Sequence, residues 1–175
     1  MELIWRHSRI KLYILVESRV SELNFHDLEV FLSENFAFLK NIILNQNFDI
    51  PKECWIASRS QYNVECLFDY VMKKRFNRIV LTIISEDIYL RDLNYVFGIG
   101  VPNVGSVIST FRLEDNIENL HKVILHEIGH VFGLTHCHAP CSMAPSNNIY
   151  DIHQMQASYC LECKFKLNEW SISQI

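Results

Sequence analysis

The chain has 175 residues, of which 49% are hydrophobic and 21% charged, with a formal net charge of −4. This length and composition predict one globular domain, and the charge gives no indication of nucleic-acid binding. No apolar run approaches the roughly 18 residues of a membrane span. Arg6, Arg9 and Lys11 interrupt the apolar N-terminal stretch, which therefore does not read as a signal peptide.

The first fifty residues predict a strand, a helix and a second strand. Residues 9–16 have the β-branched and apolar composition of a strand. A helix capped by Asn24 or Asp27 should follow, because apolar residues recur at helical spacing as far as Leu39. Residues 42–48 then predict a second strand.

The middle of the chain predicts another helix and three strands. Ser58 or Ser60 is positioned to cap the helix, which should end at the basic residues 73–75. Its predicted buried stripe consists of Tyr62, Cys66, Leu67, Tyr70 and Val71. Residues 79–84 are almost continuously apolar, which is typical of a central strand covered on both faces.

Two further strands are predicted at residues 95–100 and 104–110, around a turn that contains proline, asparagine and glycine. The glycines at 98, 100 and 105 do not have the spacing of a dinucleotide-binding loop, and no helix follows them directly. We therefore predict no nucleotide site here.

The next helix should begin at Asp115 or Asn116 and continue to about Phe132. Four apolar residues predict that one side of it faces the core, roughly opposite His126 and His130: Ile117, Ile124, Ile128 and Val131. A helix with a purely structural role has no need of two histidines and a glutamate on its other side.

Residues 126–136 contain the pattern H-E-x-x-H-x-x-G-x-x-H. At about 3.6 residues per turn, His126 and His130 project from the same helix face. Gly133 allows the chain to leave the helix, so that His136 becomes a third ligand. Three protein nitrogens with an open position are typical of a catalytic zinc, and Glu127 would lie beside it as a general base.

Cysteines are concentrated after this motif, at positions 137, 141, 160 and 163, whereas Cys54 and Cys66 are isolated. Without a secretion signal, clustered cysteines favour metal ligation over disulfides, and we expect a cytoplasmic protein. Cys66 is expected to be a core residue. Residues 145–148 predict a loop, and the helical spacing of residues 152–163 predicts a docked C-terminal helix.

The histidine motif with Met143 beyond it is the metzincin signature, and the sequence closely resembles one metzincin family, the archaemetzincins. The resemblance includes a cysteine directly after the third histidine, then C-x-M at residues 141–143 and C-x-x-C at residues 160–163. Residues 59–63 resemble the R-x-Q-Y motif of that family, and residues 109–113 resemble its S-x-x-R-L motif.

The resemblance implies an α+β fold, in which a mixed twisted β-sheet carries a backing helix and an active-site helix. Residues 1–133 would form an upper subdomain. Residues 134–175 would form a small C-terminal subdomain, held together by a zinc ion bound to four cysteines. The edge of the sheet formed by residues 95–110 would face the cleft and pair with an extended peptide.

The resemblance also implies two zinc ions per chain, one catalytic and one structural. The catalytic ion would be held by His126, His130 and His136, with Glu127 as general base and Met143 as an apolar floor. The structural ion would be held by Cys137, Cys141, Cys160 and Cys163.

Three features depart from the family pattern. The gap from Met143 to Cys160 is one residue shorter than usual. Three residues separate Cys137 from Cys141, where the family usually has four. Pro145 stands where some metzincins have a tyrosine, so no tyrosine at that place is expected to assist the transition state.

We therefore expect a monomeric zinc metallopeptidase that acts on peptides or proteins, as an aminopeptidase or as an endopeptidase. One alternative is a zinc-stabilised peptide-binding protein with little activity, against which Glu127 argues. A redox protein built on C-x-x-C is a second alternative. The adjacent second pair of cysteines argues against it.

Overall fold

The computed structural model of the protein describes residues 10–20, 23–73 and 78–173. In chain order its elements are β1 (Ile10–Glu17), α1 (Phe25–Asn35), β2 (Leu39–Phe48), β3 (Trp55–Ile56), β4 (Gln61–Asn63), α2 (Val64–Lys73), β5 (Ile79–Ile84), β6 (Ile88–Tyr89), β7 (Gly98–Val101), β8 (Gly105–Ser109), α3 (Ile117–Val131), α4 (Ile149–Gln154) and α5 (Leu161–Ser173). No helix among these residues is long and apolar enough to cross a membrane. The predictions made for Arg9, Lys74 and Arg75 lie outside the described residues.

The main sheet has the strand order β2-β1-β5-β8-β7. Neighbouring strands are parallel from β2 to β8, and β7 is antiparallel to β8 at the edge. The prediction that residues 79–84 form a central strand is confirmed, because β5 lies in the middle with buried side chains on both faces. The α+β fold class with a mixed sheet is confirmed as well.

Helices cover both faces of this sheet. Leu81 and Ile83 belong to the cluster that includes the buried residues of α1 and α3, whereas Val80 and Ile84 pack with those of α2. Successive strand residues point to opposite faces, so the continuous apolar run of β5 supplies both clusters. The sheet is therefore the middle of three layers, with α3 on the same side as α1.

Helix α1 begins as predicted, since the Asn24 side chain accepts hydrogen bonds from the backbone N–H groups of His26 and Asp27. The sequence left the end of this helix open. Helical spacing continues to Leu39, but α1 ends at Asn35 and Leu39 begins β2. Phe36 and Leu39 are buried although neither is helical. Because Phe36 and Leu39 are three residues apart and both apolar, their spacing resembles that of one more helical turn.

The predicted start of α2 is also wrong. Neither Ser58 nor Ser60 caps it, and Tyr62 lies in β4, where it pairs with Trp55 on one side and Ile88 on the other. The cap is Asn63, whose Oδ1 accepts a hydrogen bond from the N–H of Cys66. The short strand β4 directly precedes α2, so Tyr62 has helical spacing from the buried stripe of α2 without being part of the helix.

Cys54 and Cys66 form a disulfide with a Cα–Cα separation of 5.5 Å. Cys54 closes a single 3-10 turn (Lys52–Cys54), and Cys66 lies in the first turn of α2. Cys66, expected to be a core residue, is partly buried and packs against the α2 cluster, but as half of a disulfide. Sequence spacing gave no sign of the pair, because their proximity depends on how the 3-10 turn packs against α2.

The predicted docked C-terminal helix is confirmed as α5, whose Cys163 and Leu167 are buried. Residues 152–163 do not form one helix, however, since Met155 and Tyr159 lie between α4 and α5. A capping box between Asn148 and Asp151 begins α4. The intervening segment instead bonds to the cysteine loop, where the N–H of Ser142 donates to the carbonyl of Ser158. The division at residue 133 into two subdomains stays a prediction.

Candidate active site

Helix α3 carries the histidine motif and is buried on nearly every side. Its first turn is capped by Asn116, whose side chain accepts from the N–H groups of Glu118 and Asn119. The expected separation into a core face and a site face is only partly correct. Ile117 is 53% exposed, whereas Glu127 is only 7% exposed.

Two glycines of β7 explain the burial of Glu127. A Cβ atom at Gly98 would lie 2.9 Å from the Glu127 Cγ, and one at Gly100 would lie 2.2 Å from the Glu127 carbonyl oxygen. Only glycine allows the edge strand to approach α3 so closely. Glycines that alternate within a predicted strand are a sequence signal for close backbone approach, and this signal could have indicated the contact with α3.

The three histidines of the motif come together at the C-terminal end of α3. The Nε2 atoms of His126 and His130 are 3.1 Å apart. His136 completes a triangle of rings with centroid separations of 4.7, 5.1 and 5.2 Å. Gly133 makes this possible, because its φ of +82° lets the chain reverse direction after the helix.

Backbone carbonyls fix the orientation of two of these rings. The Nδ1–H of His126 donates to the carbonyl of Ser142, and that of His130 donates to the carbonyl of Leu134, both at 2.8 Å. Each bond leaves Nε2 as the nitrogen with a free lone pair, which is the usual arrangement for imidazoles that bind a metal. Carbonyl acceptors have no side-chain signature, so the sequence could not reveal them.

Burial sets the charge states of this site. It lowers the pKa of His126 to about 4, with a further contribution from neighbouring His130, whose own pKa burial also lowers. Burial also raises the pKa of Glu127 to about 8. Neutral imidazoles suit a metal ion, and a cation among them would favour the ionised carboxylate of Glu127.

Met143 lies directly beneath the motif helix and is fully buried. A Cβ atom at Gly129 would be 2.3 Å from its Sδ, so the glycine inside the motif permits this contact. Tyr159 packs beside them and donates a hydrogen bond to the carbonyl of Leu125. Met143 therefore packs against the motif helix at Gly129, the residue before His130, and its role as an apolar floor of the site stays a prediction.

The four cysteines predicted to bind zinc form a second cluster. Two of their sulfur pairs, Cys137–Cys160 and Cys141–Cys163, are separated by 3.8 and 3.9 Å. A disulfide would require about 2.05 Å. Four thiolates around one zinc at about 2.3 Å would instead be about 3.8 Å apart. The three-residue spacing of Cys137 and Cys141 thus still brings all four sulfurs together.

A cleft of about 910 Å³ opens over the histidines. Its lining includes residues 94–101, which contain β7, and Ser146 and Asn147 of the loop after Met143. Among the described residues β7 is the edge strand of the main sheet, and its pairing with an extended peptide stays a prediction. His126, Glu127, His130 and His136 line the same cleft.

Comparison with known proteins agrees with this geometry. The sequence model of Peptidase family M54 matches residues 48–169. An archaemetzincin from Nanoarchaeum equitans is 39% identical over 132 residues, which are 75% of each chain. Another, from Archaeoglobus fulgidus, is 35% identical over 125 residues, 68% of this chain and 76% of the relative.

Solved structures show the same likeness. The crystal structure of the archaemetzincin from Methanopyrus kandleri has a TM-score of 0.82 at 28% identity, and covers 94% of this chain and 97% of its own. The Archaeoglobus fulgidus structure, complexed with malonate, has a TM-score of 0.72 at 32% identity and covers 90% and 99%. The chain therefore belongs to peptidase family M54, the archaemetzincins, and is a zinc metallopeptidase.

Proposed function

We propose that the chain hydrolyses peptide bonds with a zinc ion held by His126, His130 and His136 and with Glu127 as the general base. The observation that carries this proposal is the convergence of three imidazoles on one point of the cleft floor. Their donor atoms all lie within 4.8 Å of one another. All three rings line the cleft, so water or substrate can reach a metal ion held between them from that side, as a catalytic site requires.

The donor set suits zinc in kind as well as in number. Neutral imidazole nitrogens are common zinc ligands, and carbonyl partners on the opposite ring nitrogens support His126 and His130. A zinc ion bound here would polarise the scissile carbonyl and lower the pKa of water at the open position.

Glu127 supplies the proton transfers. It follows the first histidine ligand on α3, and β7 shields it from bulk solvent through Gly98 and Gly100. As the base, its carboxylate would take a proton from the attacking water and then give it to the leaving amine. The open edge of β7 would hold the substrate backbone extended across the site.

We further propose that the four cysteines hold a structural zinc. Four thiolates leave no open position, which is typical of a closed structural site. Cys137 directly follows the ligand His136, and Cys160 and Cys163 lie at the start of α5. Such an ion would tie the turn after α3 to the C-terminal helix.

A peptide-library digest tests the catalytic proposal. Zinc-loaded protein should cleave peptides, and removal of zinc from the histidine site should abolish cleavage. Sequenced products decide between the two modes, because an aminopeptidase removes only first residues whereas an endopeptidase cuts internally. A protein that binds peptides through the cleft without cutting them would instead be the low-activity binding protein.

A further inference from the structure

Two sequence motifs, at residues 59–63 and 109–113, take no part in the histidine site but meet in the structure. Arg112 forms two hydrogen bonds with the carboxylate of Asp87, at 2.8 and 2.7 Å. The amide of Gln61 donates to the same carboxylate at 2.9 Å. Asp87 and Gln61 are each only 6% exposed. A buried and fully bonded network of this kind holds its members in one geometry.

This network holds the segment that leads into β7. Arg59 donates to the carbonyls of Leu93 and Asn94, at 2.9 and 3.2 Å. Gln61 donates to the Asn94 carbonyl as well, at 2.9 Å. The R-x-Q-Y motif therefore binds this segment directly, and the S-x-x-R-L motif supports it through the contact of Arg112 with Asp87. The segment forms the rim of the cleft just before the edge strand.

Tyr95 is the next residue along this rim. The Arg112 guanidinium lies 4.1 Å from the centroid of its ring, and Phe97 packs edge-on against it at 5.6 Å. Its hydroxyl donates to the carbonyl of Asn147 at 3.2 Å. Tyr95 and Asn147 both line the cleft. Their hydrogen bond therefore joins the segment before β7 to the loop after Met143.

The position of this bridge along the cleft follows from the glycines of β7. Gly98 and Gly100 lie against Glu127 and His130, whereas Tyr95 lies three residues further from the site. A peptide paired antiparallel with β7 runs from Val101 towards Tyr95. The residues that follow the scissile bond would therefore reach the bridge.

We propose that Tyr95 is a specificity-determining residue, whose bridge to Asn147 restricts how far a peptide extends beyond the scissile bond on its carboxyl side. Arg59, Gln61, Asp87 and Arg112 are positioning residues that hold Tyr95 in place. This inference rests on the proposed function, since it assumes that peptides bind along the histidine site. A longer peptide must break the bridge, so the penalty equals the strength of that hydrogen bond.

Binding of zinc-directed probes tests the inference without requiring cleavage. The probes are peptides that carry a hydroxamate group, extended stepwise either on its amino side or on its carboxyl side. Calorimetry with the zinc-loaded protein measures affinity as a function of length. Tyr95→Phe removes only the bridging hydroxyl. Tyr150→Phe is the matched control, because Tyr150 is 75% exposed and lies outside the cleft lining.

In the wild type, the carboxyl-side series should stop gaining affinity at the length that reaches the bridge. Tyr95→Phe should raise the affinity of the longer members about two- to tenfold, the range that one neutral hydrogen bond allows. Arg112→Lys, which loses the two-point bond to Asp87, should change the same series in the same direction. The amino-side series should not change.

If affinity depended on the length of the carboxyl-side probes in the same way in Tyr95→Phe and in Tyr150→Phe, the inference would be overturned. A protein that binds the probes but hydrolyses no peptide would contradict Glu127 as the base and would still decide the role of Tyr95. Failure of the two proposals is therefore distinguishable.

Discussion

The imidazole of His126 donates a hydrogen bond to the carbonyl of Ser142, which stands between Cys141 and Met143 in the cysteine loop. The loop is anchored in turn, since the Ser142 hydroxyl donates to the Gln156 carbonyl. One member of the histidine site is thus oriented by the segment that carries one of the four thiols. The two candidate metal sites are coupled through this contact.

Cys160→Ser should therefore affect both sites. We expect metal content to fall from two ions to one and the melting temperature to fall, because the link between the cysteine loop and α5 is lost. Displacement of the Ser142 carbonyl should weaken zinc binding by the histidines by roughly 10–100-fold, as loss of a hydrogen-bond partner of a metal-binding imidazole usually does. Metal analysis and competition with a chelator measure these effects. Unchanged affinity at the histidines would show that the two sites are independent.

Glu127→Gln should leave the fold and metal content intact while removing most of the activity. The amide cannot accept the proton from water, and general acid–base groups contribute about 10²–10⁴-fold to rates. Peptide hydrolysis measured beside bound zinc separates this effect from loss of metal. Turnover close to that of the wild type would contradict the assignment of Glu127 as the base.

Thiol titration should find four reactive thiols in denatured protein treated with chelator and no reductant. Cys54 and Cys66 are bonded to each other, and the four clustered cysteines have sulfurs too far apart for disulfides. Addition of reductant should raise the count to six, the total in the chain. Fewer than four thiols before reduction would indicate disulfides in the cluster and would contradict the structural zinc.

His121 should make stability depend on pH. Its ring stacks on Phe31 with centroids 3.9 Å apart, and burial lowers its pKa in the folded state, although Asp27 and Glu118 oppose this shift. The unfolded state then binds more protons below about pH 6.5. The contribution of His121 to the free energy of unfolding is therefore fully present above that pH and is lost as the pH falls.

His121→Phe keeps the stacked ring but cannot titrate. Urea unfolding of the zinc-loaded wild type and variant, compared from about pH 8 to about pH 5, should show the wild type losing more stability on acidification. The histidine ligands are common to both proteins, so the difference isolates His121. If the free energies of unfolding of the wild type and of His121→Phe changed with pH by the same amount, the role of His121 would be contradicted.

Gly100→Ala should destabilise the protein, since the added Cβ would lie 2.2 Å from the carbonyl oxygen of Glu127. Overpacking of this kind costs about 1–3 kcal/mol, and backbone atoms cannot move aside cheaply. Ser58→Ala, at an exposed position that caps no helix, is the control and should have almost no effect. Equal melting temperatures for the two variants would show that β7 and α3 separate easily.

Much of this molecule could be predicted from local sequence. The continuous apolar run of residues 79–84 placed β5 at the centre of the sheet, and Asn24 and Asn116 were among the predicted helix caps. These features depend on neighbours in the chain. The spacing of His126 and His130 likewise fixes their common face through helix geometry alone.

The errors arose where burial depended on distant segments. Tyr62 and Leu39 have helical spacing but lie in strands, because pairing partners elsewhere in the chain determine strand formation. The Cys54–Cys66 pair depends on packing between a turn and α2, which no spacing rule reveals.

The sequence by itself determined the identity of the metal-site candidates, since residue type and spacing carry that chemistry. Only the tertiary structure decided how they are oriented and enclosed. The carbonyls of Ser142 and Leu134, the approach of β7 through Gly98 and Gly100, and the bridge from Tyr95 to Asn147 all join segments far apart in the chain or use backbone atoms. Every residue carries the same backbone groups, so only the fold selects which of them face the site.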